Sequence, residues 1–233
     1  MGRAFEFRKS RKLKRWSTIS KTFTKLSKEI IISVKESGSN LDNNHKLRAI
    51  VQNAKALNMP KENIERAIKK ASDAHNENFK EIIFEGFAPF GIAIIIEAAT
   101  NNNNRTVGNI RSYFNKFDGN LGVSGSVDYM FERFCNFKIK SNNIKIEELE
   151  LEFIDYGVEE IYNTEDIIFV FAPFEKFGVI QKKIEEKSIK IISTEFERIP
   201  LNTKKLINEK KIKVLKLIEE IEKMTMFKMF III

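Results

Sequence analysis

The segment from residue 134 to residue 199 has the sequence FCNFKIKSNNIKIEELELEFIDYGVEEIYNTEDIIFVFAPFEKFGVIQKKIEEKSIKIISTEFERI. Short runs rich in Ile, Val and Phe alternate here with longer runs in which apolar residues recur at helical spacing. The pattern predicts strands at 136–140, 158–162, 166–172 and 190–198, and helices at 147–156 and 174–187. The order strand–helix–strand–strand–helix–strand is that of a ferredoxin-like unit.

The sequence on both sides of this unit predicts a second α+β domain that the unit interrupts. Residues 79–133 have a pattern typical of strand–strand–helix–strand, with predicted strands at 80–84, 92–97 and 127–131. A sheet of this kind needs another helix to cover it, and residues 201–233 supply a long amphipathic helix and a final strand. We therefore expect 79–133 and 200–233 to form one discontinuous domain, with 134–199 inserted into it.

Helical spacing dominates residues 1–78. On a helix from 16 to 34, one arc of roughly 80° holds the apolar residues, which are Trp16, Ile19, Phe23, Leu26, Ile30 and Val34. Two further helices are predicted after the capping residues 42–44 and after Pro60, and the polar residues 73–78 are predicted to be a linker. The predicted fold class is thus α+β, with a helical N-terminal domain followed by two α+β domains.

The positive charge of the chain is concentrated at its N-terminus. The net charge is +8, but residues 1–28 carry +9 and the other 205 residues carry −1. Ile, Lys, Asn and Phe, whose codons are rich in A and T, make up 105 of the 233 residues, so lysine content alone is weak evidence for an anionic partner. Codon bias would spread lysine evenly, whereas these cations form a cluster: Arg3, Arg8, Lys9, Arg11, Lys12, Lys14, Arg15, Lys21, Lys25 and Lys28.

Three interpretations of the basic cluster are open: a nucleic-acid-binding arm, an organelle transit peptide, and a solvated face without a partner. We take the ten cations as candidate nucleic-acid-binding residues. Lys21, Lys25 and Lys28 belong to a lysine ridge opposite the apolar arc, and we expect their side chains to be solvated. No apolar run follows the charges as in a secretory signal, and none approaches the roughly 20 residues that a membrane-spanning helix needs.

The sequence gives no positive support for an enzyme. The only cysteine is Cys135 and the only histidines are His45 and His75, so no spaced metal motif or Cys–His pair is present, and the single cysteine fits a reducing compartment. The glycine-rich loop at 119–126 lacks the order of a phosphate-binding loop, so we expect a tight turn there. We therefore expect no catalytic residues, no metal, no cofactor, no small-molecule substrate and no membrane partner.

Several motifs occur together in one order along nearly the whole chain. They are MGRAFEFRK at 1–9, KRWS at 14–17, KTFTK at 21–25, NMPKEN at 58–63, FEGF at 84–87, NNRTV at 103–107 and GNLG at 119–122. This set resembles the YebC/PmpR family. The resemblance implies a helical N-terminal domain followed by two α+β domains, the last of them inserted into the middle one.

The resemblance also implies a function. Some members of the family are transcriptional regulators that bind DNA near promoters, and others are translation factors that associate with ribosomes and assist the synthesis of difficult sequences. We therefore expect a cytoplasmic, DNA-binding transcriptional regulatory protein, with a translation factor bound to ribosomal RNA as the alternative. The family implies no catalytic residues. The oligomeric state and the docking of the C-terminal strand, which ends in Phe-Ile-Ile-Ile, stay open.

Overall fold

The structure is a computed structural model that describes the backbone of residues 3–72, 79–141, 144–223 and 227–231. It describes the side chains of residues 20–71, 79–141 and 144–223. The predicted linker at 73–78 and the last two residues lie outside the described backbone. The fold is of the predicted class, with a helical N-terminal domain followed by two α+β domains.

Three helices form the N-terminal domain: α1 (Arg3–Ser37), α2 (His45–Ala56) and α3 (Lys61–Ser72). Helix α1 ends where Gly38 adopts a left-handed conformation with a φ of 83°, as is usual just after a helix. The side chain of Asn44 then caps α2 by accepting a hydrogen bond from the backbone N–H of Leu47. The amide group of Asn44 also donates to the carbonyl oxygens of Ser33 and Gly38, which fixes the turn between α1 and α2.

Helix α1 begins earlier than the sequence pattern indicates. The apolar arc predicts a start near Trp16, with a separate basic arm before it, but the helical backbone begins at Arg3. The physical reason is that no Gly or Pro occurs between Arg3 and Ser37, and the basic stretch is rich in Lys and Arg, which favour helices. The basic arm is therefore the first half of α1.

The core of the helical domain contains the predicted apolar side chains that the structure describes. Leu26, Ile30 and Val34 are buried against α2 and α3, as the spacing predicts. Phe23 packs against the same core but stays half-buried. The side chains of Trp16 and Ile19 lie outside the described residues.

These different degrees of burial predict different effects on stability. Ile30→Ala should lower the free energy of unfolding by roughly 3–4 kcal/mol, because the side chain is fully buried. Phe23→Ala should cost less, about 2 kcal/mol, because part of the ring is already in water. Equilibrium unfolding in urea measures both values. A larger loss for Phe23→Ala than for Ile30→Ala would contradict the packing described above.

The middle domain is a four-stranded antiparallel sheet covered by two helices. The strand order is β3 (Asn120–Leu121), β1 (Lys80–Ala88), β2 (Ile92–Thr100) and β8 (Phe227–Ile231). Helices α4 (Asn103–Lys116) and α7 (Asn208–Lys223) pack on one face through Ile110, Phe114, Leu217 and Ile221. The C-terminal strand β8 pairs with β2 from Ala98↔Phe227 to Ile94↔Ile231, so the chain returns to this sheet after the insertion.

The prediction of a strand at 127–131 is wrong. A single 3-10 turn, Asp128–Met130, occupies most of that segment, and the short strand β3 lies earlier, at Asn120–Leu121. The reason is that the N–H groups of Val127 and Asp128 donate to the Glu85 carboxylate, so these groups do not take part in strand pairing.

The inserted domain has the ferredoxin-like order. Its strands are β4 (Phe131–Lys140), β5 (Glu160–Thr164), β6 (Ile167–Pro173) and β7 (Ile191–Pro200), arranged β5-β6-β4-β7. Helices α5 (Ile146–Phe153) and α6 (Phe177–Glu186) complete it. Phe137, Phe153 and Ile180 are fully buried between sheet and helices. The central strand β4 begins before the predicted start at 136, and the edge strand β7 continues beyond the predicted end at 198. These two strands join the inserted domain to the middle domain.

Candidate nucleic-acid interface

All ten predicted nucleic-acid-binding residues lie on one helix. Arg3, Arg8, Lys9, Arg11, Lys12, Lys14, Arg15, Lys21, Lys25 and Lys28 all fall within α1. The side chains of the first seven lie outside the described residues. An α-helix rises 1.5 Å per residue, so the cluster from Arg3 to Lys28 extends over about 38 Å.

The three described lysines differ in their exposure. Lys21 is exposed, as predicted, but Lys25 and Lys28 are half-buried, so the expectation that all three are solvated is wrong. The reason is that α1 packs against more than the other two helices: its flank also faces the sheet of the middle domain, where Lys25 and Lys28 line a cavity together with Ala98. The Nζ atom of Lys28 lies 5.1 Å from the centre of the Phe79 ring.

A basic groove runs between α1 and α3. It has a volume of about 230 Å³, and its cations are Lys28 from α1 and Arg66 and Lys70 from α3. Thr24, Ser27 and Asn63 add hydroxyl and amide groups to its lining. Side chains of these types make most of the protein contacts to nucleic-acid phosphates and sugars, so the groove extends the candidate interface from one helix to two.

Sequence reasoning missed Arg66 and Lys70. The signal that could have found them is their spacing of four residues on α3, which places both on one flank of the helix beside the buried Ala67. The net charge summed over residues 29–233 does not reveal these two cations, because Glu62 and Glu65 lie on the same helix and offset them.

The cavity that Lys25 and Lys28 line has a volume of about 180 Å³ and lies where the three domains meet. Its charges are balanced: the lining cations are Lys25, Lys28, Lys46 and Arg133, and the lining carboxylates are Glu29, Glu81, Glu97 and Glu195. Lys46 Nζ lies 3.0 Å from a carboxylate oxygen of Glu81 and 3.2 Å from one of Glu36. Burial opposes the charge on Lys46, but these two carboxylates outweigh it and raise its pKa. Carboxylates repel phosphate, so this cavity is a domain junction rather than a phosphate site.

Side-chain contacts hold the inserted domain against the other two. The Asn53 side chain on α2 donates to the Thr194 carbonyl oxygen at 2.6 Å and accepts from the Thr194 N–H at 2.7 Å. Arg48 on α2 forms an ion pair with Glu185 on α6. Arg198 on β7 is almost fully buried, with its guanidinium 3.1 Å from Glu97 and 2.6 Å from Asp128 of the middle domain. The Asn53 and Arg48 contacts hold α2 against the inserted domain. The Arg198 contacts hold the inserted domain against the middle domain.

The glycine-rich loop is a turn built around a buried carboxylate. Glu85 accepts hydrogen bonds from the backbone N–H groups of Gly125, Val127 and Asp128, at 2.7–2.9 Å. A bound phosphate would need such N–H groups, and here an internal anion already engages them. A Cβ atom at Gly122 would lie 2.4 Å from the Ser126 hydroxyl oxygen, so close packing explains that glycine.

The described residues show no group suited to metal binding or nucleophilic catalysis. No three His, Cys, Asp or Glu side chains among them lie close enough together to hold a metal ion. Cys135 is fully buried on β4, and burial raises the pKa of its thiol to about 12, which keeps it protonated and unreactive at neutral pH. His45 begins α2, and His75 lies outside the described residues. No described helix is long and apolar enough to span a membrane.

Comparison with known proteins confirms the resemblance found in the motifs. Residues 3–74 match the family model of the TACO1/YebC protein N-terminal domain, and residues 79–226 match that of the TACO1/YebC second and third domain. The crystal structure of a conserved hypothetical protein from Aquifex aeolicus is similar, with a TM-score of 0.76 and 34% sequence identity. That similarity covers 91% of this chain and 88% of the Aquifex chain.

Three curated relatives bear the name probable transcriptional regulatory protein. The relative from Flavobacterium psychrophilum is 59% identical over 222 residues, which cover 95% of this chain and 94% of the relative. The relative from Parabacteroides distasonis is 49% identical and covers 95% and 92%. The relative from Myxococcus xanthus is 41% identical and covers 95% of each chain. The chain therefore belongs to the TACO1/YebC family, together with these probable transcriptional regulatory proteins.

Proposed function

We propose that the protein is a cytoplasmic transcriptional regulator that binds DNA through the cations of α1. One observation carries the proposal: residues 1–28 hold the whole positive excess of the chain. The ten cations of this segment all lie on the single helix α1. Clustered cations bind nucleic acid by releasing counterions from phosphates. The names of the relatives support the role of regulator.

The dimensions of the helix are suited to a duplex. The cluster from Arg3 to Lys28 extends over about 38 Å, close to the roughly 34–36 Å of one duplex turn. The positive surface continues from α1 into the α1–α3 groove, whose cations are Lys28, Arg66 and Lys70. In this proposal α1 lies along the phosphate backbone, and the groove takes a phosphate at one end of the contact. Such binding needs no cofactor and no catalytic step.

The alternative function is that of a translation factor bound to ribosomal RNA. The α1–α3 groove is compatible with it, because Lys, Arg, Ser, Thr and Asn contact the phosphates and sugars of RNA as they do those of DNA. Phosphate contacts alone do not distinguish the two nucleic acids, so the distinction requires a measurement in cell extract.

Sedimentation after selective nuclease digestion separates the two functions. If DNA is the target, the protein should sediment with DNA, and DNase should release it while RNase does not. If the ribosome is the target, the protein should sediment with ribosomes, and RNase should release it instead. Sedimentation with neither would contradict both functions. A variant with the seven cations between Arg3 and Arg15 replaced by Gln is the matched negative control, because it should stay in the supernatant.

A further inference from the structure

A second basic cluster lies at the start of α7, on the middle domain. The segment 204–216 contains six lysines and one acid, Glu209. All six lysine side chains are exposed: Lys204, Lys205, Lys210, Lys211, Lys213 and Lys216. The net charge summed over residues 29–233 does not reveal this cluster, because three glutamates between 217 and 223 follow it directly and offset part of its charge.

An exposed aromatic residue lies beside two of these lysines, Lys204 and Lys210. Phe90, in the turn between β1 and β2, has a φ of 70° and a ψ of 17°. This is a left-handed backbone conformation that residues other than glycine rarely adopt. The residue is 36% exposed. A strained residue persists only where its surroundings enforce it, and such residues cluster at functional sites.

Two lysines of the cluster hold Phe90 in place. The Nζ atom of Lys204 donates a hydrogen bond to the Phe90 carbonyl oxygen at 2.6 Å. The Nζ atom of Lys210 lies 5.2 Å from the centre of the Phe90 ring, a cation–π distance. The turn therefore presents an aromatic ring with one ammonium group beside it and further ammonium groups on the next turn of α7.

We propose that Phe90 and the lysines of 204–216 form a binding site for an unpaired stretch of nucleic acid. A base stacks on the exposed part of the Phe90 ring, and Lys210 and Lys211 neutralise the neighbouring phosphates. This combination of aromatic platform and cations is the one that single-strand-binding proteins use. In a duplex the faces of the bases are covered by stacking, so the ring selects an unpaired strand, whereas the cations of α1 alone do not.

The inference rests on the proposed function only in taking nucleic acid as the partner. The site lies on a different domain from α1 and uses stacking in addition to charge. A protein partner would bind the same lysines through its own carboxylates, and that binding would not require an aromatic ring at Phe90. The response to removing only the ring therefore distinguishes the two partners.

The test measures fluorescence anisotropy of the full chain with labelled probes: a single-stranded pyrimidine oligonucleotide of about 12 nucleotides, as RNA and as DNA, and a duplex of equal length. Phe90→Leu should weaken single-strand binding roughly 5- to 100-fold, because it keeps apolar bulk and loses the π face. Phe90→Tyr, the matched control, should bind like the unmodified protein. Binding to the duplex should change less than about twofold in both variants.

A second variant tests the cations. The double variant Lys210→Gln, Lys211→Gln should bind single strands more weakly. The slope of log affinity against log salt should also become shallower, by the amount expected for the loss of about one to two phosphate contacts. Melting temperatures of all variants identify any loss caused by unfolding. Equal single-strand affinity of the Phe90→Leu variant and the unmodified protein would overturn the proposal while leaving the function of α1 intact. If the unmodified protein binds none of the probes, the proposed function and the inference both fail.

Discussion

Replacing the seven cations of the first half of α1 by Gln should weaken binding to duplex DNA roughly a thousandfold or more at low salt. The residues are Arg3, Arg8, Lys9, Arg11, Lys12, Lys14 and Arg15. Each cation that contacts a phosphate releases a condensed counterion, so the loss of several contacts multiplies. Gln favours helices about as well as Lys and Arg, so α1 should persist. Filter binding at fixed salt measures the affinity, and circular dichroism checks the helix.

A matched control separates the location of the charge from its amount. The inserted domain offers seven lysines that can be replaced by Gln in the same way: Lys140, Lys145, Lys176, Lys182, Lys183, Lys187 and Lys190. Both variants lose the same amount of charge from a net +8. The control should retain most of its affinity for DNA. An equal loss in both variants would mean that only net charge matters, and α1 would lose its assigned role.

Glu85→Gln should destabilise the middle domain by roughly 3 kcal/mol. The buried Glu85 carboxylate accepts hydrogen bonds from three backbone N–H groups, and an amide offers only one oxygen in place of two. At least one N–H group would then face the amide NH₂ and lose its acceptor. Urea unfolding measures the loss. Glu132→Gln, on an exposed position of β4, is the control and should change stability by less than about 0.5 kcal/mol.

The same carboxylate predicts how stability depends on pH. Burial opposes the charge on Glu85, but the N–H donors and the nearby Arg198 guanidinium outweigh it and lower the pKa below its ordinary value of 4.5. A lowered pKa stabilises the folded state above 4.5, and this contribution is lost as the pH falls through the folded-state pKa. The unmodified protein should therefore lose stability on acidification below about 4.5, and Glu85→Gln should lose less. Equal acid sensitivity of both proteins would contradict this assignment.

Much of the fold could be predicted from apolar spacing alone. Leu26, Ile30 and Val34 fall on one helical arc, and the structure buries all three. The six elements between 134 and 199 alternate in a pattern that specifies the ferredoxin-like order, and the sheet has that order. A helix or strand with one buried face needs apolar residues at this spacing, so the pattern is visible in a single sequence.

Contacts between distant segments could not be predicted in the same way. The burial of Lys25 and Lys28 depends on the middle domain packing beside α1, and no local pattern carries that information. The loss of the predicted strand at 127–131 depends on Glu85, about forty residues earlier in the chain. Phe90 and Lys210 are also far apart in sequence, and only the return of α7 to the middle domain brings them together.

The dependence of DNA affinity on salt tests the central claim, that cations of α1 neutralise phosphates. The affinity of the full chain for a duplex should be measured between about 50 mM and 200 mM salt, beside the variant with seven Gln substitutions. With six to eight engaged cations, the logarithm of the affinity should fall against the logarithm of salt with a slope of roughly −5 to −7, and the variant should show a much shallower slope. A nearly flat slope for the unmodified protein, or equal slopes for both proteins, would contradict the claim.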